Sequence, residues 1–184
     1  MEKDIFGNIA FIFVGRHRYN KGNCSCSIND VYGLQELMLN FSKGVEPGNI
    51  DHNDCCLRKG YVDDVNSLVN NGNGLLVISA VRSIPVGYIL GHRNYPFIAN
   101  GSKRGFFIVE EYVAEELRGR GIYSAMLNLV ADEVKRMNRT AIFKEVYYDN
   151  AMAINASKAK GFEIVKKAIP EKGLEHVLMI KRVR

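Results

Sequence analysis

The stretch Leu117-Arg118-Gly119-Arg120-Gly121-Ile122-Tyr123-Ser124 (LRGRGIYS) decides the fold class of this chain, and we call it the glycine turn. It lies between a strand-like run, Phe106 to Val113, and an amphipathic segment that begins near Ile122. A glycine-rich turn between a strand and a helix presents backbone N–H groups at the helix N-terminus, where phosphates bind. Its two arginines add positive charge and donors that suit phosphate oxygens. The sequence therefore predicts a pyrophosphate site here.

The other segments predict an α/β layout with a mixed sheet, because short apolar runs alternate with helical periodicity. The predicted strands are Ile9–Val14, Leu75–Val81, Val86–Gly91, Phe106–Val113, Ala141–Tyr148, Phe162–Ala168 and Glu175–Arg182. Asn29 or Asp30 caps a predicted helix that ends near Ser42, and Asp149 or Asn150 caps another that ends at Gly161. Two further helices are predicted, Cys55–Asn70 and Ile122–Met137. A turn is predicted at Ile84-Pro85.

Composition narrows the class of protein. The 184 residues suit one domain, and a hydrophobic content of 47% is that of an ordinary globular protein. The net charge of +5 is spread over small groups of basic residues, which is typical of a solvated surface rather than a nucleic-acid site. No targeting signal or membrane-spanning run is recognisable. We therefore expect a cytoplasmic protein that binds neither nucleic acid nor a membrane.

The four cysteines do not predict a metal site. Cys24 and Cys26 are separated by one residue, and Cys55 and Cys56 are adjacent, so neither pair has the spacing of common zinc knuckles. Adjacent cysteines rarely form a disulfide with each other. We expect four reduced thiols and no bound metal.

Three motifs, in order, resemble those of the GNAT acyltransferase family. The segment from Glu110 to Val113, followed by Arg118 to Gly121, is similar to the cofactor motif of the family. In that motif, Arg or Gln is followed by two residues, Gly, one residue, and Gly or Ala. The run from Glu145 to Asn150 resembles the next strand of the family, and Asn150 to Phe162 resembles its closing helix. The sequence departs from the family at Tyr123, where Gly or Ala is usual, and at Ser157, where many relatives carry a tyrosine proton donor.

The resemblance implies a fold and an activity. The implied fold is a mixed, mostly antiparallel central sheet of about six to seven strands, flanked by about four helices. Residues 1–184 would form one domain, with 1–74 as a variable acceptor-side part and 75–183 as the cofactor-binding core. The implied reaction is direct attack by a primary amine on acetyl-CoA in a ternary complex. The acceptor, a small molecule or a peptide, is not identified, and both a monomer and a homodimer stay open.

The resemblance also assigns cofactor contacts. Backbone N–H groups would hold the pyrophosphate along the glycine turn, from Arg118, Gly119, Arg120, Gly121, Ile122, Tyr123 and Ser124. The backbone of Tyr112 and Val113 would pair with the pantetheine arm like an added strand. An N–H group near Val113 would stabilise the oxyanion of the tetrahedral intermediate. Asn150 would help to hold the pantetheine or the gap between strands.

The catalytic candidates are two glutamates and one serine. Glu145 matches the base position of relatives that acetylate protein N-termini, and Glu110 is the second candidate. For each, the alternative is a structural hydrogen bond or ion pair. Ser157 is a weak acid beside a thiol leaving group that needs little help, so we expect it to contact cofactor or to pack. Tyr123, Tyr147 and Tyr148 are alternative proton donors that also suit simple packing.

Two other functions remain as alternatives. The same fold could hold acyl-CoA without turnover, as a sensor or an assembly module, and the departures at Tyr123 and Ser157 leave that reading open. A basic protein that uses the glycine turn to bind nucleic-acid phosphates is the weaker alternative, because no RNA- or DNA-binding motif accompanies the turn.

Overall fold

The computed structural model describes residues 9–14, 61–82, 84–93, 105–168 and 175–183. Several predictions fall outside these residues. They are the helix that ends near Ser42, the loops 15–27 and 94–103, and the environment of all four cysteines.

Seven strands and three α-helices occur in the described ranges. The strands are β1 (Ile9–Val14), β2 (Gly74–Val81), β3 (Ile84–His92), β4 (Gly105–Val113), β5 (Ala141–Tyr147), β6 (Glu163–Ala168) and β7 (His176–Arg182). The helices are α1 (Tyr61–Asn70), α2 (Ile122–Arg136) and α3 (Ala151–Ala159), with a single 3₁₀ turn at Glu115–Leu117. None of these helices has both the length and the apolar character required to cross a membrane.

The strands follow the hydrogen-bonding order β1-β2-β3-β4-β5-β7-β6. The pairs β1–β2, β5–β7 and β6–β7 are antiparallel, and the pair β4–β5 is parallel. The predicted mixed, mostly antiparallel sheet is therefore confirmed. Three α-helices are described where about four were predicted, and the remaining predicted helix falls outside the described residues.

One local prediction was wrong. Ile84 and Pro85 belong to β3, and the chain reverses earlier, at Arg82, whose φ of 51° is left-handed. A proline near the start of a strand can lack a ladder hydrogen bond there, so Pro85 does not exclude the strand. Elsewhere, the predicted and observed ends of the described elements agree within two residues, apart from the helix start predicted at Cys55, which lies outside the described residues.

The chain divides into two compact units. The first comprises residues 1–90 and 110–126. In it, β1 and β2 pair from Ile9↔Val81 to Val14↔Leu76, and α1 buries Val65 and Val69. A Cβ at Gly74 would lie 2.8 Å from Leu68 Cγ, so glycine permits the close approach of α1 to the start of β2.

The second unit comprises residues 91–109 and 127–184. Its parallel ladder pairs Gly105–Ile108 with Ala141–Lys144, and β7 pairs along the whole of β5. One face carries an apolar cluster made of Phe107, Ala141 and Phe143, against which Leu178 and Ile180 pack. A register shift between Ile164 and Lys166 marks β6.

Candidate functional site

The glycine turn joins the 3₁₀ turn after β4 to the N-terminus of α2. Gly119 and Gly121 have φ values of 77° and 81°, a left-handed conformation that other residues adopt only with strain. The first bond of the α2 ladder runs from the Ala125 N–H to the Gly121 carbonyl, at 3.0 Å. Gly121 therefore caps the helix, and the N–H groups before Ala125 belong to the helix end that attracts anions.

Backbone conformation, not crowding, requires the glycine at position 119. A Cβ built there would meet no atom within 4 Å, and both Gly119 and Gly121 are exposed. The two left-handed residues bend the chain, and residues 118–121, just before the helix, are exposed to solvent. A ligand can therefore approach this backbone closely.

The two arginines of the glycine turn differ in their surroundings. Arg118 Nε donates to the Val113 carbonyl at 3.1 Å, and its guanidinium carbon lies 5.7 Å from the centre of the Tyr112 ring. Arg118 thus ties the turn back to the end of β4. Arg120 is exposed and is the arginine with more freedom to follow a bound anion.

The end of β4 has a defined backbone orientation. The Ala114 N–H donates to the Val86 carbonyl on β3, at 2.8 Å. Because backbone groups of successive strand residues point to alternate sides, the N–H and the carbonyl of Val113 point away from β3. The Tyr112 carbonyl lies on the β3 side, where a Cβ on Gly87 would be only 2.9 Å from it.

Tyr123, the departure at the sixth motif position, has a specific place. Its hydroxyl donates to Glu111 Oε2 at 2.7 Å. Burial, followed by the charge and the hydrogen bond of Glu111, raises the pKa of Tyr123 far above its usual value. This tyrosine therefore keeps its proton, and it is a poor candidate for the acid that the sequence left open.

Glu110, the second candidate base, accepts a hydrogen bond. Tyr88 is fully buried, and its hydroxyl donates to Glu110 Oε2 at 3.1 Å. The Tyr88 ring also lies 6.4 Å from the Tyr112 ring, centre to centre. Glu110 therefore makes the structural hydrogen bond that was the alternative to its role as a base. A carboxylate that accepts one hydrogen bond still retains further acceptor sites.

Glu145, the first candidate base, lies in the second unit near a histidine that the sequence analysis missed. Glu145 Oε2 is 3.9 Å from His176 Nδ1, and the Tyr147 ring is 4.4 Å from the His176 ring. The β5–β7 register aligns Tyr147 with His176, and Glu145 lies two residues from Tyr147, so all three side chains share one face. No pattern in the sequence reveals this register.

Asn150 and Ser157 both make bonds within α3. Asn150 Oδ1 accepts the Ala153 N–H at 2.9 Å, so Asn150 is the predicted helix cap. Ser157 is 1% exposed, and its hydroxyl donates to the Ala153 carbonyl at 2.6 Å. This contact favours packing over proton donation for Ser157.

The described residues contain no group of three His, Cys, Asp or Glu side chains arranged to hold a metal ion.

Comparisons with known proteins point to one family. The model of the acetyltransferase (GNAT) family matches residues 46–162, more than half of the chain. No curated protein matches the sequence.

Solved structures show the same fold. A probable acetyltransferase from Staphylococcus epidermidis is 12% identical, with a TM-score of 0.68 over 96% of this chain and 99% of its own. The acetyltransferase YncA from Salmonella typhimurium, bound to acetyl-CoA, is 14% identical, with a TM-score of 0.67 over 96% and 95%. The PaiA N-acetyltransferase from Thermoplasma acidophilum, in complex with coenzyme A, is 13% identical, with a TM-score of 0.67 over 94% and 99%.

Proposed function

As a member of the acetyltransferase (GNAT) family, this protein is an acetyltransferase, and we propose that it transfers acetyl from acetyl-CoA to a primary amine. The amine attacks directly while both substrates are bound. The acceptor is a small molecule or a peptide. The observation that carries this proposal is the glycine turn, where two left-handed glycines open the N-terminus of α2.

The diphosphate of the cofactor binds at this helix end. Backbone N–H groups between Arg118 and Ser124 donate to the phosphate oxygens, and the helix dipole favours the negative charge. Arg120 adds a mobile positive charge from the surface. Arg118 contributes by holding the turn against Val113 and Tyr112, and its Nη1 also lies 3.7 Å from Glu115 Oε1.

The pantetheine arm and the thioester carbonyl bind along the end of β4. The ladder between β4 and β5 covers Gly105–Ile108, which leaves the later part of β4 as the segment that pairs with the arm. Because the Val113 N–H points away from β3, it suits the arm or the oxyanion better than the backbone of Tyr112 does.

Glu145 accepts the proton of the acceptor amine, with Glu110 as the second candidate. An alkylammonium group titrates near ~10, so the amine needs a base before it attacks. Glu145 is exposed, whereas Glu110 accepts a hydrogen bond from a buried tyrosine, and this difference favours Glu145. The Ser157 hydroxyl packs within α3, so the CoA thiolate leaves without a proton from Ser157. Asn150 contacts the pantetheine arm in addition to capping α3.

The remaining parts of the proposal rest on the sequence. Residues 1–184 form one acyltransferase domain in which 1–74 shape the acceptor side. The protein acts in the cytoplasm, on an amine and not on nucleic acid or membrane. The alternative is a non-catalytic module of the same fold that binds acyl-CoA.

Calorimetry and a CoA-release assay test the proposal together. Titration with acetyl-CoA should give heat and raise the melting temperature. CoA release should then be accelerated by at least one amine in a panel of spermidine, 2-phenylethylamine, an aminoglycoside, free amino acids and short peptides. Absence of both heat and thermal stabilisation in folded protein would refute the cofactor site. Binding without turnover of any amine would favour the non-catalytic module.

A further inference from the structure

Glu145, Tyr147 and His176 form a side-chain cluster at one end of the β5–β7 ladder. Glu145 and Tyr147 lie two residues apart on β5, and His176 is the register partner of Tyr147 on β7. Neighbouring β6 aligns the uncharged Ala168 with His176, and exposed Glu175 precedes His176 in the chain. In the part of the chain that the structure describes, Glu145 is the carboxylate that lies within 4 Å of this imidazole.

The distances suit a charge pair held in a fixed orientation. Glu145 Oε2 and His176 Nδ1 are 3.9 Å apart, longer than a hydrogen bond and short enough for an ion pair or one bridging water. The Tyr147 ring packs 4.4 Å from the imidazole at 58°, which limits the orientations of that ring. The side chains of Glu145 and His176 are 39% and 31% exposed, so each can exchange protons with water.

We propose that His176 is a positioning residue for Glu145 and receives the proton that Glu145 takes from the acceptor ammonium. This inference rests on the proposed function. The family resemblance supplied Glu145, on β5, as the base, and this inference adds His176, on β7, as its partner.

The proton path balances. The ammonium nitrogen gives one proton to a Glu145 oxygen, and that proton passes through one bridging water to His176 Nδ1 and then to bulk water. The freed nitrogen lone pair forms the N–C bond with the acetyl carbon. The C–S bond then breaks with its electrons on sulfur, which takes the second nitrogen proton to give CoA. Imidazole is the side chain best suited to take up and release a proton near neutral pH, which fits it for this relay.

Kinetics of His176→Asn test the role. The substrates are acetyl-CoA and the best amine of the panel. We expect kcat to fall about tenfold near pH 7, at the lower end of acid–base effects. The KM for acetyl-CoA and the calorimetric affinity should change less than twofold. The acid limb of the pH–rate profile should also shift, which loss of packing alone would not cause.

Two further variants distinguish a catalytic effect of His176→Asn from a loss of stability. His92→Asn makes the same change at another partly exposed histidine and should leave kcat unchanged. If His176→Asn lowers the melting temperature strongly, His176→Gln provides a second measurement of the kcat and KM split. Unchanged kcat and an unchanged pH profile in a folded His176 variant would overturn the inference.

Histidine-ring NMR provides a readout that needs neither acceptor nor turnover. Because Glu145 Oε2 lies 3.9 Å from His176 Nδ1, Glu145→Gln should change the ring chemical shifts of His176. Identical His176 ring shifts in wild type and variant would overturn the coupling of the two residues. Failure of acetyl-CoA to bind would refute the proposed function instead, and calorimetry detects that outcome separately.

Discussion

The glycine turn and the Glu145–His176 pair are built in different ways. The turn uses backbone groups of eight consecutive residues, and its geometry follows from left-handed glycines and a helix end. The pair uses side chains from two strands that are far apart in the sequence and meet through the β5–β7 register. A local backbone site depends on conformational preference, whereas a side-chain pair depends on long-range strand alignment. The two regions should therefore respond to different kinds of mutation.

The largest effect is expected when the backbone of the turn is changed. Gly121→Val places a β-branched residue at a φ of 81°, so we expect acetyl-CoA affinity to fall below calorimetric detection. Gly72→Val is a matched control, because Gly72 has a φ of 74° in another turn, with no atom within 4 Å of its Cβ position. Equal loss of binding in both variants would mean that the cause is unfolding rather than damage to the site.

A smaller loss, confined to turnover, is expected at the side-chain pair. Glu145→Gln should lower kcat at least about tenfold while acetyl-CoA affinity and the melting temperature stay near wild type. Glu110→Gln should lower kcat less, because Glu110 already accepts the Tyr88 hydroxyl. If steady-state kinetics show a larger kcat loss for Glu110→Gln, the roles of the two glutamates must be exchanged.

Substitutions of the two arginines of the turn should separate the structural contribution to acetyl-CoA binding from the electrostatic one. Arg118→Ala removes the bond to the Val113 carbonyl and the contact with Tyr112, so we expect a loss of about 1 kcal/mol in unfolding free energy and weaker acetyl-CoA binding. Arg120→Ala should leave stability unchanged and weaken acetyl-CoA binding mainly at low salt. Denaturant melts and calorimetry at two salt concentrations measure both effects. An unchanged unfolding midpoint for Arg118→Ala would show that its contacts do not hold the turn.

The smallest effect on activity is expected at Tyr123. Tyr123→Phe removes the hydroxyl that donates to Glu111, at a cost of about 1–2 kcal/mol in unfolding free energy near neutral pH. The pKa of Tyr123 is raised in the folded protein, so its contribution is fully present below the unfolded value of about 10 and is lost as pH rises above it. Denaturant melts of wild type and variant should therefore differ by a constant amount at neutral pH and converge in alkali. A difference that already disappears between pH 7 and 9 would contradict this assignment.

Much of the fold was predictable because its signals are local. The strand, glycine turn and helix from Phe106 to Arg136 follow from apolar periodicity and left-handed glycines. The cap at Asn150 and the end of α3 before Gly161, with a φ of 82°, have equally local causes. The error at Ile84-Pro85 shows the limit of such signals, because proline is compatible with both a turn and the start of a strand.

The sequence by itself determined the order of the elements, the glycine turn and the family resemblance, because each depends on neighbouring residues. Tertiary structure alone decided which side chains meet. It brought Arg118 to the Val113 carbonyl, Tyr123 to the Glu111 carboxylate, and Glu145 to within 4 Å of His176. Contacts of this kind depend on strand register and helix packing, where a shift of one residue would turn a side chain to the opposite face.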